Sequence, residues 1–266
     1  MHPRSTEAEK VKAALYLKAI LPLMADLAAD DPPSKAAAKG RHRIIQLEIV
    51  AGPAAHLTIS GGTISHGIGR HPSASIRLVF KTPSLLNRMF AGENVRPSLR
   101  KGFLHLPFLL KQFPVLTDRL TYFLAGEGRQ ATDEKALNLR VTLGLHAMLA
   151  GMAAVASDDV SLKKIAAATP EGTLLIKVLP DGPFGSFSKQ PGKNGMEFIS
   201  TFGRPVTAPN AIMELADRNT AQRLIDGELN AVTAIGLGRE IKIRGLLPLI
   251  EKASIFLSRF GKLMDV

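Results

Sequence analysis

The chain has 266 residues, 45% of them hydrophobic, carries a net charge of +11 and contains no cysteine. The missing cysteines exclude disulfides, thiolate metal sites and a cysteine nucleophile, and they fit a reducing compartment. The cationic excess favours acidic partners such as anionic lipid surfaces, acyl phosphates or carboxylates.

No stretch reaches the roughly 18 uncharged apolar residues of a membrane span. The nearest, 141–156, contains His146 among small Ala and Gly residues and reads as a buried helix. Glu7 and Glu9 precede any apolar run, so the N-terminus does not read as a secretory signal. A soluble, cytoplasmic protein is expected. Nucleic acid is not an expected partner. The basic residues are dispersed, the densest run being Lys35, Lys39, Arg41, His42 and Arg43, and stacking aromatics do not accompany them.

Thr6 and Glu9 form a capping-box pattern, and Val11, Leu15, Ile20, Met24 and Leu27 keep helical spacing. Pro22 should bend or end that helix, and Asp30-Asp31-Pro32-Pro33 stops it. Strands are predicted at Ile44–Val50, Ala55–Ile59, Thr63–Ile68 and Ser75–Phe80, and they read as an antiparallel meander. Thr82 and Pro83 then open a helix bearing Leu85, Leu86, Met89 and Phe90, and Gly92 stops it. Phe103, Leu104 and Leu106 predict a further strand, and Phe108–Leu124 a last helix interrupted by Pro114. Residues 126–135 are rich in Gly and charge and read as a linker. Helices follow at Leu137–Ala156 and Leu162–Ala168, and strand signals resume at Thr173–Leu179.

The second half repeats the order of the first. Val178–Pro183 echoes Ile49–Pro53. Ile212–Leu215, the helix through Arg223, and Gly227-Glu228 echo Ile76–Leu78, the helix through Arg88, and Gly92-Glu93, with an offset of 135 residues at both the Arg and the Gly-Glu pair. Phe103-Leu104-His105-Leu106 is matched with Glu240-Ile241-Lys242-Ile243, and each is followed by an apolar helix, Phe108–Leu124 and Leu246–Leu263. This sets Pro107 opposite Arg244, leaves the Gly192-Lys193-Asn194-Gly195 loop without a partner, and leaves 137–168 as extra helix. Two units are expected, 1–125 and 136–266, each an α+β layer in which helices cover one face of a mostly antiparallel sheet.

At these residues the chain resembles the sterol carrier protein two family, or sterol-binding domain. The resembling segments are Ser75–Phe80, Leu85–Gly92 and Lys101–Leu106 in one copy, and Ala211–Leu215, Ala221–Gly227 and Arg239–Gly245 in the other. The resemblance implies a sheet and helices around an apolar cavity that holds a sterol-like, fatty-acid or acyl-CoA ligand. It implies no catalytic residues and no cofactor.

Apolar residues at helical spacing are the candidate lining. They are Leu86, Met89, Phe90, Phe103, Leu106, Phe108, Leu109 and Phe113 in the first copy. In the second they are Leu224, Ile225, Ile241, Ile243, Leu246, Leu249, Ile250, Ile255 and Phe256. Ordinary core packing explains the same pattern. The terminal helix carries Lys252, Arg259 and Lys262 on an apolar body, which suits transient contact with an anionic membrane.

His66 and His71 stand five apart without a carboxylate at ligand spacing, and His56, His105 and His146 stand alone, so no metal site is expected. Gly67-x-Gly69 and Gly236-x-Gly238 read as turns, and Asp30-Asp31 and Asp158-Asp159 as helix caps. Nucleophile-elbow, phosphate-loop and zinc-protease motifs are missing. A lipid carrier is the leading expectation. An acyl-CoA-handling enzyme with His105 or His66 as base, and a protein-interaction module without a cavity, are the alternatives.

Overall fold

The computed structural model of the chain describes residues 6–130, 133–193, 195–205, 207–229 and 240–264. Gly236, Gly238, Arg239 and Asn194 lie outside them, as do 131 and 132 of the expected linker. The chain divides into two compact units, Met1–Arg129 and Gln130–Val266.

Unit one opens with α1 (Glu7–Leu15), fixed by the capping box. The Thr6 hydroxyl accepts from the Glu9 amide at 3.2 Å, and the Glu9 carboxylate accepts from the Thr6 amide at 2.7 Å. The helix then widens into a π turn, Tyr16–Ile20, before Pro22 and α2 (Leu23–Asp30). In that register the Leu17 carbonyl would meet the amide of residue 22, which is proline and has none. His66 supplies the missing donor, its Nε2 standing 2.9 Å from the Leu17 oxygen. Asp31 caps α3 (Pro32–Ala37), accepting from the Ser34 amide and hydroxyl at 3.1 and 2.6 Å.

Strands β1 (Arg43–Ile49), β2 (Ala54–Ser60) and β3 (Thr63–Ile68) form hairpins, as the turn signals predict. The meander stops there. β4 (Ile76–Phe80) crosses to the other side of β1 and runs parallel to it, Ile45 opposite Ile76. The loop that makes the crossing is held by polar contacts that hydropathy does not register. Gln46 and Glu48 share one face of β1 and are buried. Gln46 accepts from the His71 amide at 2.8 Å, and Glu48 accepts from Arg70 at 3.0 Å. Together they strap the 69–75 loop across β1.

Thr82 caps α4 (Pro83–Phe90), and β5 (Ser98–Lys101) closes the sheet in the order β3-β2-β1-β4-β5. A short 3-10 turn (Phe103–His105), α5 (Leu106–Lys111) and α6 (Phe113–Leu124) complete the unit.

Unit two repeats this plan. α7 (Glu134–Asp158) leads through a 3-10 turn (Val160–Leu162) and α8 (Lys163–Ala168) to β6 (Gly172–Val178). Then come β7 (Phe184–Gly192), β8 (Gly195–Phe202), β9 (Ala211–Leu215), α9 (Arg218–Ile225), β10 (Ile241–Gly245) and α10 (Leu247–Met264). The sheet order β8-β7-β6-β9-β10 is that of unit one, with β6 and β9 parallel. Individual hydrogen bonds recur as well. Ile49 donates to Pro53 and Val178 to Pro183. Val50 donates to Phe80 and Leu179 to Leu215. Glu93 donates to Arg88 and Glu228 to Arg223.

Two parts of the repeat differ from the sequence reading. The strand expected at Phe103–Leu106 lies earlier, at Ser98–Lys101. Lys101 pairs with Arg77 as Arg244 pairs with Ile212, so Lys101-Gly102 corresponds to Arg244-Gly245, and Pro107 is not the counterpart of Arg244. Gly102 and Gly245 both have positive φ, 108° and 90°. A Cβ on either would stand 3.0 Å from the Cα of the facing residue, Ile76 or Ala211. Glycine is required there twice over, and the chain leaves the sheet at that point. The apolar run at 103 therefore begins a helix.

The helices leading into the second half are likewise no addition. Asp159 follows α7 as Asp31 follows α2, and it accepts from the Ser161 amide and hydroxyl at 2.9 and 2.6 Å. Each aspartate is also gripped by an arginine of the last helix. Arg119 donates to Asp31 through Nε and Nη2 at 3.1 and 2.6 Å, and Arg259 Nε donates to Asp159 at 2.7 Å. Both carboxylates are almost fully buried.

α7 alone among the described residues has the length and composition to cross a membrane, and 94% of its apolar window is buried inside the protein. It carries the buried Arg140, which pairs with Asp226, and the buried His146, stacked on Phe202 at 3.8 Å.

Two stability outcomes follow from this geometry. Gly245→Ala should cost more than about 3 kcal/mol, from backbone strain plus collision with the Asn210 carbonyl. Gly227→Ala, at φ 72° with open space around it, should cost about 1–2 kcal/mol. Equal costs in urea titrations would contradict the assignment. Arg259→Met, which leaves Asp159 buried without its cation, should cost about 2–3 kcal/mol, and a double-mutant cycle with Asp159→Ser should recover part of that loss.

Candidate functional site

The expected lining residues of unit one fall in three places. Leu86 is fully buried on α4, with Met89 and Phe90 half-buried beside it, and the Phe90 ring stacks on Tyr16 at 4.6 Å. Phe108 is buried under the Arg43 guanidinium, 4.6 Å from the ring centroid, and tilts against Phe113 at 6.3 Å. Leu109 and Phe113 are half-buried. Phe103 and Leu106 stand on the surface, 65% and 39% exposed.

In unit two Ile225 packs where a Cβ on Gly144 would lie, 2.7 Å from its Cδ1, so α9 rests on α7 through a glycine. Leu224 is half-buried beside it. Ile241 is buried on β10, and Ile243 and Leu246 are half-buried. Leu249, Ile250 and Phe256 form the buried side of α10. Phe256 closes an aromatic cluster with Phe187 and Phe198, at centroid separations of 5.6–6.0 Å.

The opposite side of α10 faces a pocket of about 350 Å³. Leu162 comes from the 3-10 turn after Asp159. Ser254, Ile255, Ser258, Arg259 and Lys262 come from α10. Leu162 and Ile255 supply apolar wall, the serines supply hydroxyls, and Arg259 and Lys262 supply positive charge. The Arg259–Asp159 pair holds turn and helix together, so the pocket is framed by the same contact that anchors the fold.

The volume sits at the low end of small-molecule sites. Of these residues the apolar-spacing argument singled out Ile255 alone. Ser254, Ser258 and Lys262 recur every fourth residue, which places them on one helical stripe. Spacing was the available signal, but small polar residues on an apolar helix read as a solvated face.

Most described histidines are occupied structurally. His66 donates to Leu17, His56 Nδ1 donates to the Gly69 carbonyl, and His71 accepts from the Ser73 amide. His105 stands half-buried in the 3-10 turn. Among the described residues no cluster of three or more His, Asp or Glu is placed to hold a metal ion.

The charged groups of the frame are perturbed. Burial pushes the Asp31 carboxyl up, but Arg119 and Ser34 outweigh it and hold it below the usual carboxylate range. Burial likewise opposes, and Ser161 with Arg259 prevails, at Asp159. Glu48 is depressed against its burial by Arg77 and Arg70. Glu214 is depressed chiefly by its hydrogen bond to Lys177. Burial lowers His66, and the Leu17 carbonyl only partly offsets it.

No protein-family model matches the sequence, and no curated protein matches it. Solved structures similar to the chain include the sterol carrier protein domain 2 of Helicoverpa armigera, 23% identical, covering 43% of this chain and 85% of that one at a TM-score of 0.31. They also include a crystal structure of sterol carrier protein 2, 16% identical, covering 44% of this chain and 92% of that one at 0.31. A third is the apo form of sterol carrier protein 2 from Yarrowia lipolytica, 18% identical, covering 41% and 90% at 0.27. The class is defined by the chain's own hydrogen bonding: a tandem of two α+β units, each a five-stranded, mostly antiparallel sheet flanked by helices.

The pH dependence of stability should show two windows. The His66 ring is harder to protonate folded than unfolded, so its contribution is complete above about pH 6.5 and is lost as pH falls through the folded value. The four depressed carboxylates contribute fully above about pH 4.5 and are lost below it. His66→Gln, which keeps a donor for Leu17, should flatten the upper window in urea titrations at about pH 7.5 and 5.5 and leave the lower one in place.

Proposed function

We propose that this protein is a non-catalytic carrier of an apolar, lipid-like molecule, acting in the cytoplasm. The ligand class follows from the family resemblance of the sequence, and the solved structures named above bear the name sterol carrier. The observation that carries the reading is the pocket on α10. Apolar wall at Leu162 and Ile255 meets hydroxyls and two cations within one cavity. That combination suits an amphiphile with an anionic end and favours a fatty acid or acyl-CoA over a neutral sterol.

In this reading Arg259 and Lys262 orient the head. The apolar tail gains about 25 cal/mol for each Å² removed from water. In unit two the tail would lie against Leu162 and Ile255, with the buried Leu249, Ile250 and Phe256 backing α10 from its other side, and in unit one buried Leu86 with half-buried Met89 and Phe90 are the apolar surroundings a second tail would use.

Native mass spectrometry of the purified chain, with organic extraction, tests the proposal. A near-stoichiometric fatty acid or acyl-CoA is the expected result. Ser258→Trp, which fills the pocket, should weaken uptake of a fluorescent fatty acid at least ~10-fold, the equivalent of one lost anchor. Lys262→Glu should weaken an anionic probe but not its methyl ester. A chain that purifies empty and takes up no fatty acid would overturn the reading.

A further inference from the structure

Unit one presents a second surface, outside the pocket, whose chemistry points to a different partner. Gly102 turns the chain out of β5, and the 3-10 turn and α5 stand beyond the strand's end. Phe103, Leu104, Leu106 and Leu110 are 65%, 95%, 39% and 72% exposed. They are four of the ten exposed large hydrophobic residues among the described residues, gathered within eight positions. Phe103, Leu106 and Leu110 keep helical spacing, which puts them on one side. Phe108 points the other way and pegs the segment down, 3% exposed beneath the Arg43 guanidinium. The apolar side chains are therefore held outward by a fixed scaffold.

The charge around them has one sign. From Asn94 to Thr117 the sequence contains no acidic residue. Arg100, Lys101 and Lys111 flank the apolar tip, all exposed, and none has an acidic partner among the described residues. The corresponding turn of unit two differs. Leu247 is exposed there too, but Arg244 donates to Glu214 and Glu251 follows on the helix.

We infer that the Phe103–Lys111 segment docks unit one on an anionic lipid bilayer, the apolar side chains entering the acyl boundary and the cations meeting the head groups. Apolar tips rimmed by unpaired cations bind such interfaces through both terms together. A second copy of this chain is the poorer match, since it brings the same net charge of +11 and the same cations. The inference rests on exposure and charge, and it holds whether or not the pocket of unit two carries a ligand.

The test is flotation of the full chain with vesicles of phosphatidylcholine alone or mixed with phosphatidylserine. The intact chain should float with the mixed vesicles, less so as salt rises, and hardly with the neutral ones. The triple variant F103S/L104S/L110S should lose at least ~10-fold in partitioning, and R100E/K101E about fivefold or more per charge removed. All five side chains are exposed, so both variants should keep the parent circular dichroism and melting temperature.

The protein has no tryptophan, so L104W gives a clean reporter whose emission should shift to the blue on mixed vesicles. Absence of flotation with mixed vesicles would overturn the inference. So would a triple variant that floats like the parent, or a parent dimer in sedimentation that the triple variant abolishes. Fatty-acid uptake by the triple variant separates this inference from the carrier reading: docking lost with uptake kept supports the surface alone.

Discussion

Each unit is organised around a buried aspartate. Asp31 and Asp159 end one helix, cap the next short turn through a serine, and receive an arginine from the last helix of the unit. A carboxylate taken out of water with only one of those partners would be costly, because its lost hydration is not replaced. With all of them it ties together three segments distant in sequence. Helices packed on one face of a sheet can slide along it at little cost in apolar contact. A charge pair in a dry setting cannot slide, so it fixes where the last helix lies. In unit two that placement also decides the pocket, since Arg259 belongs both to the pair and to the cavity wall.

The two units share hydrogen-bond topology and differ in how they fill and edge it. Unit one builds its first layer from two helices broken at Pro22. The π turn there leaves a carbonyl that His66 satisfies from the sheet. Unit two builds the same layer from one unbroken 25-residue helix, buried on most sides and admitting neighbours through glycines. At the other end of the plan the contrast reverses. Unit two has an 18-residue last helix whose small polar stripe opens a pocket. Unit one breaks that helix at Pro114 and leaves its first turns exposed. One architecture thus carries a candidate pocket in one copy and an outward apolar tip in the other.

The sequence by itself determined the repeat, the α+β class, and the caps at Thr6, Asp31, Thr82 and Asp159. These are local: a capping residue, a positive-φ glycine and an alternating strand act within a few positions, so their signals lie next to one another in the chain. Tertiary structure alone decided the parallel pairing of β1 with β4, which joins strands distant in the sequence and recurs between β6 and β9. It placed the fifth strand before Gly102, because the close approach to Ile76 involves residues 26 positions apart. It also sorted the candidate lining residues into buried, half-buried and exposed sets. Apolar spacing states that a residue can face a core, and only the packed chain settles which face is covered. Phe103 and Phe108 have the same side chain five positions apart, yet one is 65% exposed and the other 3%, because Arg43 and Phe113 reach only the second.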